Sequence, residues 1–118
     1  MSTSNPQKIS NVTKRFFQHI ANRQWSNARD LILQLHKGTV TKDKEWKIGY
    51  ITALQGMLAA RRYNHTAYPP FIVQIKGSSD IDALETYFYE QTQHQLNTEF
   101  DKGFFQSWYE YTHFLKNP

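Results

Sequence analysis

Glutamate and histidine recur at helical spacings near the C-terminus, in a pattern that could bind a metal ion. Glu110 and His113 are three residues apart, so both would lie on one face of a helix. Di-iron bundles use this Glu-x-x-His spacing, but they need a second copy of it and two further glutamates on facing helices. Glu90 and His94 are four residues apart and do not supply that copy. We therefore predict no metal site and no cofactor.

Arginine and histidine at positions 61 and 65 raise the question of ribonuclease chemistry. The segment Arg61-Arg62-Tyr-Asn-His65 is similar to the Arg–His motif of HEPN-type helical ribonucleases, but only three residues separate Arg61 from His65, fewer than that motif has. The chain contains no glycine-rich phosphate loop and no Gly-x-Ser-x-Gly motif. It also contains no cysteine, which excludes thiolate chemistry. No residue pattern argues for catalysis, and we expect a protein that is not an enzyme.

Charge is divided unevenly along the chain. Residues 1–76 contain twelve Lys/Arg and three Asp/Glu, whereas residues 77–118 contain two Lys and seven Asp/Glu. Lysine and arginine neutralise phosphates, so a basic face is the electrostatic footprint of nucleic-acid binding, although basic residues often form an ordinary solvated face. Arg23 and Arg29 lie around the second predicted helix. The residues that we assign to nucleic-acid binding, as an alternative function, are Lys14, Arg15, Lys44, Lys47, Arg61 and Arg62.

Aromatic residues are concentrated at the other end. Ten of the eighteen aromatics fall in the last 42 residues. Most of them should line the core, but four exceed what one small core can bury, and surplus aromatics at a surface are typical of protein interfaces. We therefore favour a non-enzymatic protein-interaction module whose partner is another protein or a second copy of the chain. The predicted interface residues are Tyr87, Tyr89, Phe105 and Tyr109.

The apolar spacing predicts the elements that must position these side chains: five helices in one domain over 1–118, forming an all-α bundle. Residues 1–6 are expected to be a flexible lead, and 64–79 an irregular connection that contains Pro69 and Pro70. The first predicted helix ends at about Ala21, and the second runs from Trp25 to about Lys37. The third runs from about Asp43 to about Arg62, the fourth begins at Ser79-Asp80, and the fifth runs from about Thr98 to about Leu115.

The third predicted helix carries a stripe of small residues: Gly49, Ala53, Gly56 and Ala60. Glycine inside a helix costs roughly 1 kcal/mol relative to alanine. Two glycines on one stripe therefore predict that the backbone of another helix comes close there, and they favour the third helix as the central one. In the fourth helix, the residues expected to face inward are Ile81, Leu84, Phe88 and Leu96.

Two segments, EWKIGYITALQGMLAA (45–60) and EFDKGFFQSWYEY (99–111), resemble parts of small uncharacterised all-helical archaeal proteins. The resemblance implies an all-helical fold and an archaeal origin, and it implies no activity. The chain has no apolar run as long as a membrane span, and its first residues lack an apolar signal region. We therefore expect a cytoplasmic protein with no membrane partner.

Overall fold

The computed structural model describes residues 6–37, 44–64 and 81–117. Within these ranges the chain is all-α, as the apolar spacing predicts. Residues 1–5 of the expected lead and 65–79 of the expected connection lie outside the described residues, as do the predicted helix starts at Asp43 and Ser79-Asp80. The lead and the connection are each predicted one residue too long, since Pro6 and Asn64 are helical. The described elements are α1 (Pro6–Ala21), α2 (Trp25–Lys37), α3 (Lys44–Ala59), a π-helical turn (Ala60–Asn64), α4 (Ile81–Gln93) and α5 (Glu99–Lys116).

The helices pack as a bundle in which α3 and α5 share the centre. Helix α5 packs against α3 on one side and α4 on the other, while α1 and α2 form a hairpin that lies against α3, α5 and the π-helical turn. The third helix is therefore central, as predicted, but it shares this position with α5. The large side chains of the core that are wholly buried include Phe16, Leu54, Met57, Leu84, Phe88, Trp108 and Tyr111.

Helices α3 and α5 approach until their backbones touch. A Cβ atom added to Gly49 would lie 2.0 Å from the carbonyl oxygen of Phe100, and one added to Gly103 would lie 2.0 Å from that of Trp46. The prediction of a close helix backbone is thus confirmed at Gly49. It is wrong at Gly56, where a Cβ would meet only the side chain of Trp108 at 3.9 Å, because the helices have diverged enough there to admit an indole ring.

The turn between α1 and α2 is a Schellman motif with an arginine at the position that glycine usually occupies. The Gln24 N–H donates to the His19 carbonyl at 2.8 Å, and the Arg23 N–H donates to the Ile20 carbonyl at 3.3 Å. Arg23 has a φ of 61°, the only positive φ at a non-glycine residue among those described. A side chain in this left-handed region costs energy that glycine would not.

Two predicted helix ends differ from the structure. The α-helical part of the third helix ends at Ala59 and continues as a π-helical turn, in which each hydrogen bond spans one residue more than in an α-helix. The prediction that Leu96 faces inward is wrong, since this side chain is 86 % exposed. It lies beyond the end of α4, where the Asn97 side chain donates to the Gln91 carbonyl at 2.8 Å and the helical register is lost.

Helix α5 begins where its caps predict. Thr98 is the N-cap: its hydroxyl accepts from the Asp101 N–H at 3.1 Å, and the Asp101 carboxylate accepts from the Thr98 N–H. This reciprocal pair is a capping box, which satisfies N–H groups that a helix start leaves unpaired. Within the described ranges, none of the helices is both long and apolar enough to cross a bilayer.

Candidate functional site

Four polar side chains form a continuous hydrogen-bonded chain through α1, α3 and α5. The Tyr50 hydroxyl donates to one carboxylate oxygen of Glu110, and the Gln106 amide donates to the other at 2.7 Å. Thr13 lies 2.7 Å from the Tyr50 hydroxyl. Since Tyr50 donates its only hydroxyl proton to Glu110, Thr13 is the donor in that contact. This network joins three helices at a single glutamate.

Burial dominates the electrostatics of this network. It raises the pKa of the Glu110 carboxyl, and the hydrogen bonds from Gln106 and Tyr50 only partly oppose that effect. Burial, and next the neighbouring Glu110 charge, also raise the pKa of the Tyr50 hydroxyl well above its ordinary value. Both groups therefore favour their neutral forms more than they would in water.

Glu110 also borders an open groove between α1 and α5, with a volume of about 560 Å³. Phe17 and Phe114 supply apolar surface, and Lys14 contributes a cation from the α1 side. Six of its nine lining residues are polar or charged, so the groove combines an aromatic surface with many hydrogen-bonding groups. Its remaining lining residues are Asn11, Gln106, Tyr109, His113 and Asn117.

One groove residue, Tyr109, also contacts α4. The Tyr109 ring, which borders the groove, lies 5.5 Å from the ring of Tyr89, and Tyr89 is 50 % exposed. Beside them Lys116 lies 2.7 Å from both Asp82 and Glu85. The hydrogen bond from Lys116, which is the largest cause, lowers the pKa of the Glu85 carboxyl. We call the groove together with the neighbouring ring pair of Tyr89 and Tyr109 the groove face; Asp82 and Glu85 lie on the same helix as Tyr89.

The four predicted interface residues occupy two different environments. Tyr87, Phe105 and Tyr109 are all partly buried and pack against the core, and the ring centroids of Tyr87 and Phe105 lie 6.0 Å apart; Tyr89 is the exposed one of the four. Tyr89 and Tyr109 form the ring pair beside the groove. The structure therefore brings Tyr89 and Tyr109 together on the groove face, while Tyr87 and Phe105 cover the core between α4 and α5.

The six cations predicted to bind nucleic acid are distributed over several surfaces. Lys14 borders the groove, whereas Lys47 donates to the His36 carbonyl at 3.3 Å. The charge of Arg61 acts on the buried hydroxyl of Tyr111, whose pKa burial nevertheless raises to about 12. Arg62 lies over the Tyr63 ring at 5.2 Å. The two remaining cations, which are exposed, are Arg15 and Lys44.

A second hollow, with a volume of about 400 Å³, lies at the end of the α1–α2 hairpin. Arg62 meets Arg23 and Arg29 there, although the three come from different segments of the chain. None of them forms an ion pair with a carboxylate of the described residues. The other lining residues are Gln24, Trp25, Ser26 and Asn27.

The sequence pattern singled out Glu110 for a different reason. In the structure Glu110 and His113 do not act together: Glu110 binds Tyr50 and Gln106, while the His113 ring lies 3.3 Å from Glu85. The residues that the structure describes contain no group of three His, Asp or Glu side chains placed to hold a metal ion. No local pattern brings Arg23 and Arg29 together with Arg62, because their meeting depends on the packing of the hairpin against the π-helical turn.

No protein-family model matches this chain, and no curated protein or solved structure shows significant similarity to it. The archaeal resemblance of segments 45–60 and 99–111 therefore stays a prediction.

Proposed function

We propose that this chain is a non-enzymatic protein-interaction module that associates with a second copy of itself through the groove face. The observation that carries the proposal is the ring pair of Tyr89 and Tyr109 at the border of the groove, with Tyr89 half exposed. Tyrosine is enriched at protein interfaces because it offers a large apolar surface together with a polar hydroxyl.

The arrangement of charge on this face supports a second copy as the partner. Lys14 lies on the α1 side of the groove. Asp82 and Glu85 lie on the α4 side, where Lys116 pairs with both and one net negative charge remains among the three, and the two tyrosines lie between the sides. A two-fold axis near Tyr109 would place the α1 side of one copy against the α4 side of the other. Since a two-fold interface pairs the same patch on both subunits, opposite charges at its two sides are complementary.

Sedimentation equilibrium at about 150 mM salt tests the proposal, because exposed charges further apart than roughly 8 Å are screened there. We expect a monomer–dimer equilibrium in the micromolar range. Tyr89→Ala should weaken it about tenfold, as loss of an interface tyrosine commonly does. Tyr63→Ala is the matched control, because Tyr63 is 69 % exposed and lies on the π-helical turn instead.

Charge reversal tests the orientation of the two copies. Lys14→Glu should weaken association, whereas Arg15→Glu, the same change one residue further along α1 and outside the groove, should have a smaller effect. A protein that remains monomeric at all concentrations would contradict the proposed self-association. Equal effects of the two reversals would contradict the two-fold arrangement.

A further inference from the structure

We propose that the hollow at the end of the α1–α2 hairpin binds a nucleotide, with the phosphate held by Arg23, Arg29 and Arg62 and the base stacked on Trp25. We name this site the arginine hollow. It shares no lining residue with the groove, so the proposal goes beyond self-association and is independent of it.

The three arginines are the first argument. They converge on one concave space from the α1–α2 turn, from α2 and from the π-helical turn. Guanidinium groups bind phosphate through paired N–H donors, which makes arginine the preferred side chain for this ligand. No carboxylate of the described residues neutralises any of the three, and Arg62, which lies over the Tyr63 ring, keeps its positive charge there.

The backbone at Arg23 is the second argument. The Schellman turn holds this residue at a φ of 61°, where glycine would be favoured. Strain of this kind is often found at functional sites, where the side chain is required in spite of its cost. An arginine at this position places a guanidinium group beside the hollow that glycine would not supply.

The rest of the lining points to a nucleotide and not to phosphate alone. Trp25 packs in part against the core and also lines the hollow, and an aromatic ring can stack on any nucleobase. Asn27 supplies a side-chain amide that can hydrogen-bond to a base or a ribose, and Gln24, whose amide oxygen lies 2.7 Å from His19 Nδ1, supplies its amide N–H groups. A volume of about 400 Å³ lies within the usual range of small-molecule sites, which is roughly 300–1,000 Å³.

Isothermal titration calorimetry of the full chain at about 150 mM salt tests the proposal. The probes are the four ribonucleoside monophosphates, inorganic phosphate, the matching nucleosides and a five-nucleotide RNA. We expect saturable one-to-one binding of at least one monophosphate. Phosphate alone and the nucleoside alone should bind at least about tenfold more weakly, since each makes only part of the contacts.

Variants identify the site. Arg29→Gln and Arg62→Gln should each weaken binding at least about tenfold, and Trp25→Leu about tenfold through the loss of stacking. Arg15→Gln is the matched control, because it removes the same charge from an exposed position on α1 and should change affinity less than about twofold. Both Arg29 and Arg62 are exposed, so the fold should be retained, and circular dichroism checks this.

The affinities for the RNA and for the monophosphates distinguish a nucleotide within an RNA strand from a free nucleotide. RNA that binds at least about tenfold more tightly than the monophosphate supports a nucleotide within a strand, and equal affinities support a free nucleotide. The proposal would be overturned if neither the monophosphates nor the RNA bound saturably. Phosphate that binds as tightly as the monophosphates would overturn the stacking on Trp25, and equal losses in Arg15→Gln and Arg29→Gln would overturn the assignment to the arginine hollow.

Discussion

Gly49 and Gly103 face the backbone of each other's helix at the crossing of α3 and α5. Gly49 lies against the carbonyl of Phe100, one turn before Gly103, and Gly103 lies against the carbonyl of Trp46, one turn before Gly49. The pairs Gly49 with Phe100 and Gly56 with Trp108 show that the two helices run in the same direction. The spacing of the central helices is therefore set by backbone contact, and side chains such as Tyr50 and Glu110 are brought into reach by it.

The first prediction concerns this crossing. Gly49→Ala or Gly103→Ala places a Cβ 2.0 Å from a backbone carbonyl oxygen, so the helices must separate. Each substitution should lower the free energy of unfolding by about 3 kcal/mol, at the upper end of overpacking effects. Urea denaturation measures the loss.

Gly56→Ala is the internal control for that prediction. Its Cβ would lie 3.9 Å from the Trp108 ring, an ordinary van der Waals distance. Since alanine is a better helix former than glycine, the variant should gain up to about 1 kcal/mol. Equal effects at Gly49 and Gly56 would show that backbone contact does not set the distance between α3 and α5.

The second prediction concerns the pH dependence of stability at Glu110. Burial raises the pKa of this carboxyl above its ordinary value of 4.5 in the folded protein. The folded state therefore binds the proton more tightly than the unfolded state does, and the stabilisation is complete below pH 4.5 and lost as the pH rises through the raised value. Glu110→Gln cannot ionise, so it should flatten this decline in urea unfolding experiments at pH 4 to 7.

Comparison of Glu110→Gln with the unmutated protein isolates the contribution of Glu110 to the pH dependence of stability. The pKa of Glu85 is lowered, so the stabilisation that Glu85 contributes is lost as the pH falls, opposite to that of Glu110. It is present in both proteins and therefore does not affect the comparison. Tyr50→Phe removes the hydroxyl that donates to Glu110, and it should cost about 2 kcal/mol near neutral pH and less in acid, where the carboxyl is protonated. Parallel pH profiles of Glu110→Gln and the unmutated protein would contradict the burial of this charge.

The third prediction concerns Arg23. Arg23→Gly removes the side chain from a residue at a φ of 61° and should raise the free energy of unfolding by about 1 kcal/mol. Arg29→Gly is the matched control within α2, where the same change should lower it by about 1 kcal/mol. Thermal or urea unfolding measures both. A loss of stability in Arg23→Gly would remove the argument from backbone strain.

The fourth prediction concerns a buried hydroxyl. Ser107 is wholly buried, and its hydroxyl has no hydrogen-bond partner among the described residues. Ser107→Ala should therefore stabilise the protein by about 1 kcal/mol, because an unsatisfied buried hydroxyl is removed. Thr112→Val is the contrasting control and should cost about 1 kcal/mol, since the Thr112 hydroxyl donates to the Tyr109 carbonyl at 2.8 Å. Destabilisation of both variants alike would contradict the prediction for Ser107.

Much of the local structure could be predicted from the chain. The helices that end at Ala21 and Lys37 and the capping box at Thr98 follow from residue spacing and cap chemistry, which act over a few positions. The prediction for Leu96 is wrong because apolar periodicity does not show where a helix stops. The prediction for Gly56 is wrong because a glycine stripe shows that space is needed and does not show whether a backbone or an indole ring fills it.

The sequence by itself determined the all-α class and the positions of the helices, because those depend on neighbours three or four residues apart. Only the tertiary structure decided which distant side chains meet. Tyr50 and Glu110 are 60 positions apart, and the hollow that joins Arg23 to Arg62 needs the hairpin to lie against the π-helical turn. Contacts of this kind depend on how helices cross. The crossing of α3 and α5 is set by the fit of two glycines against two carbonyls; the glycine stripe predicts that a backbone comes close to α3 but does not show which helix supplies it.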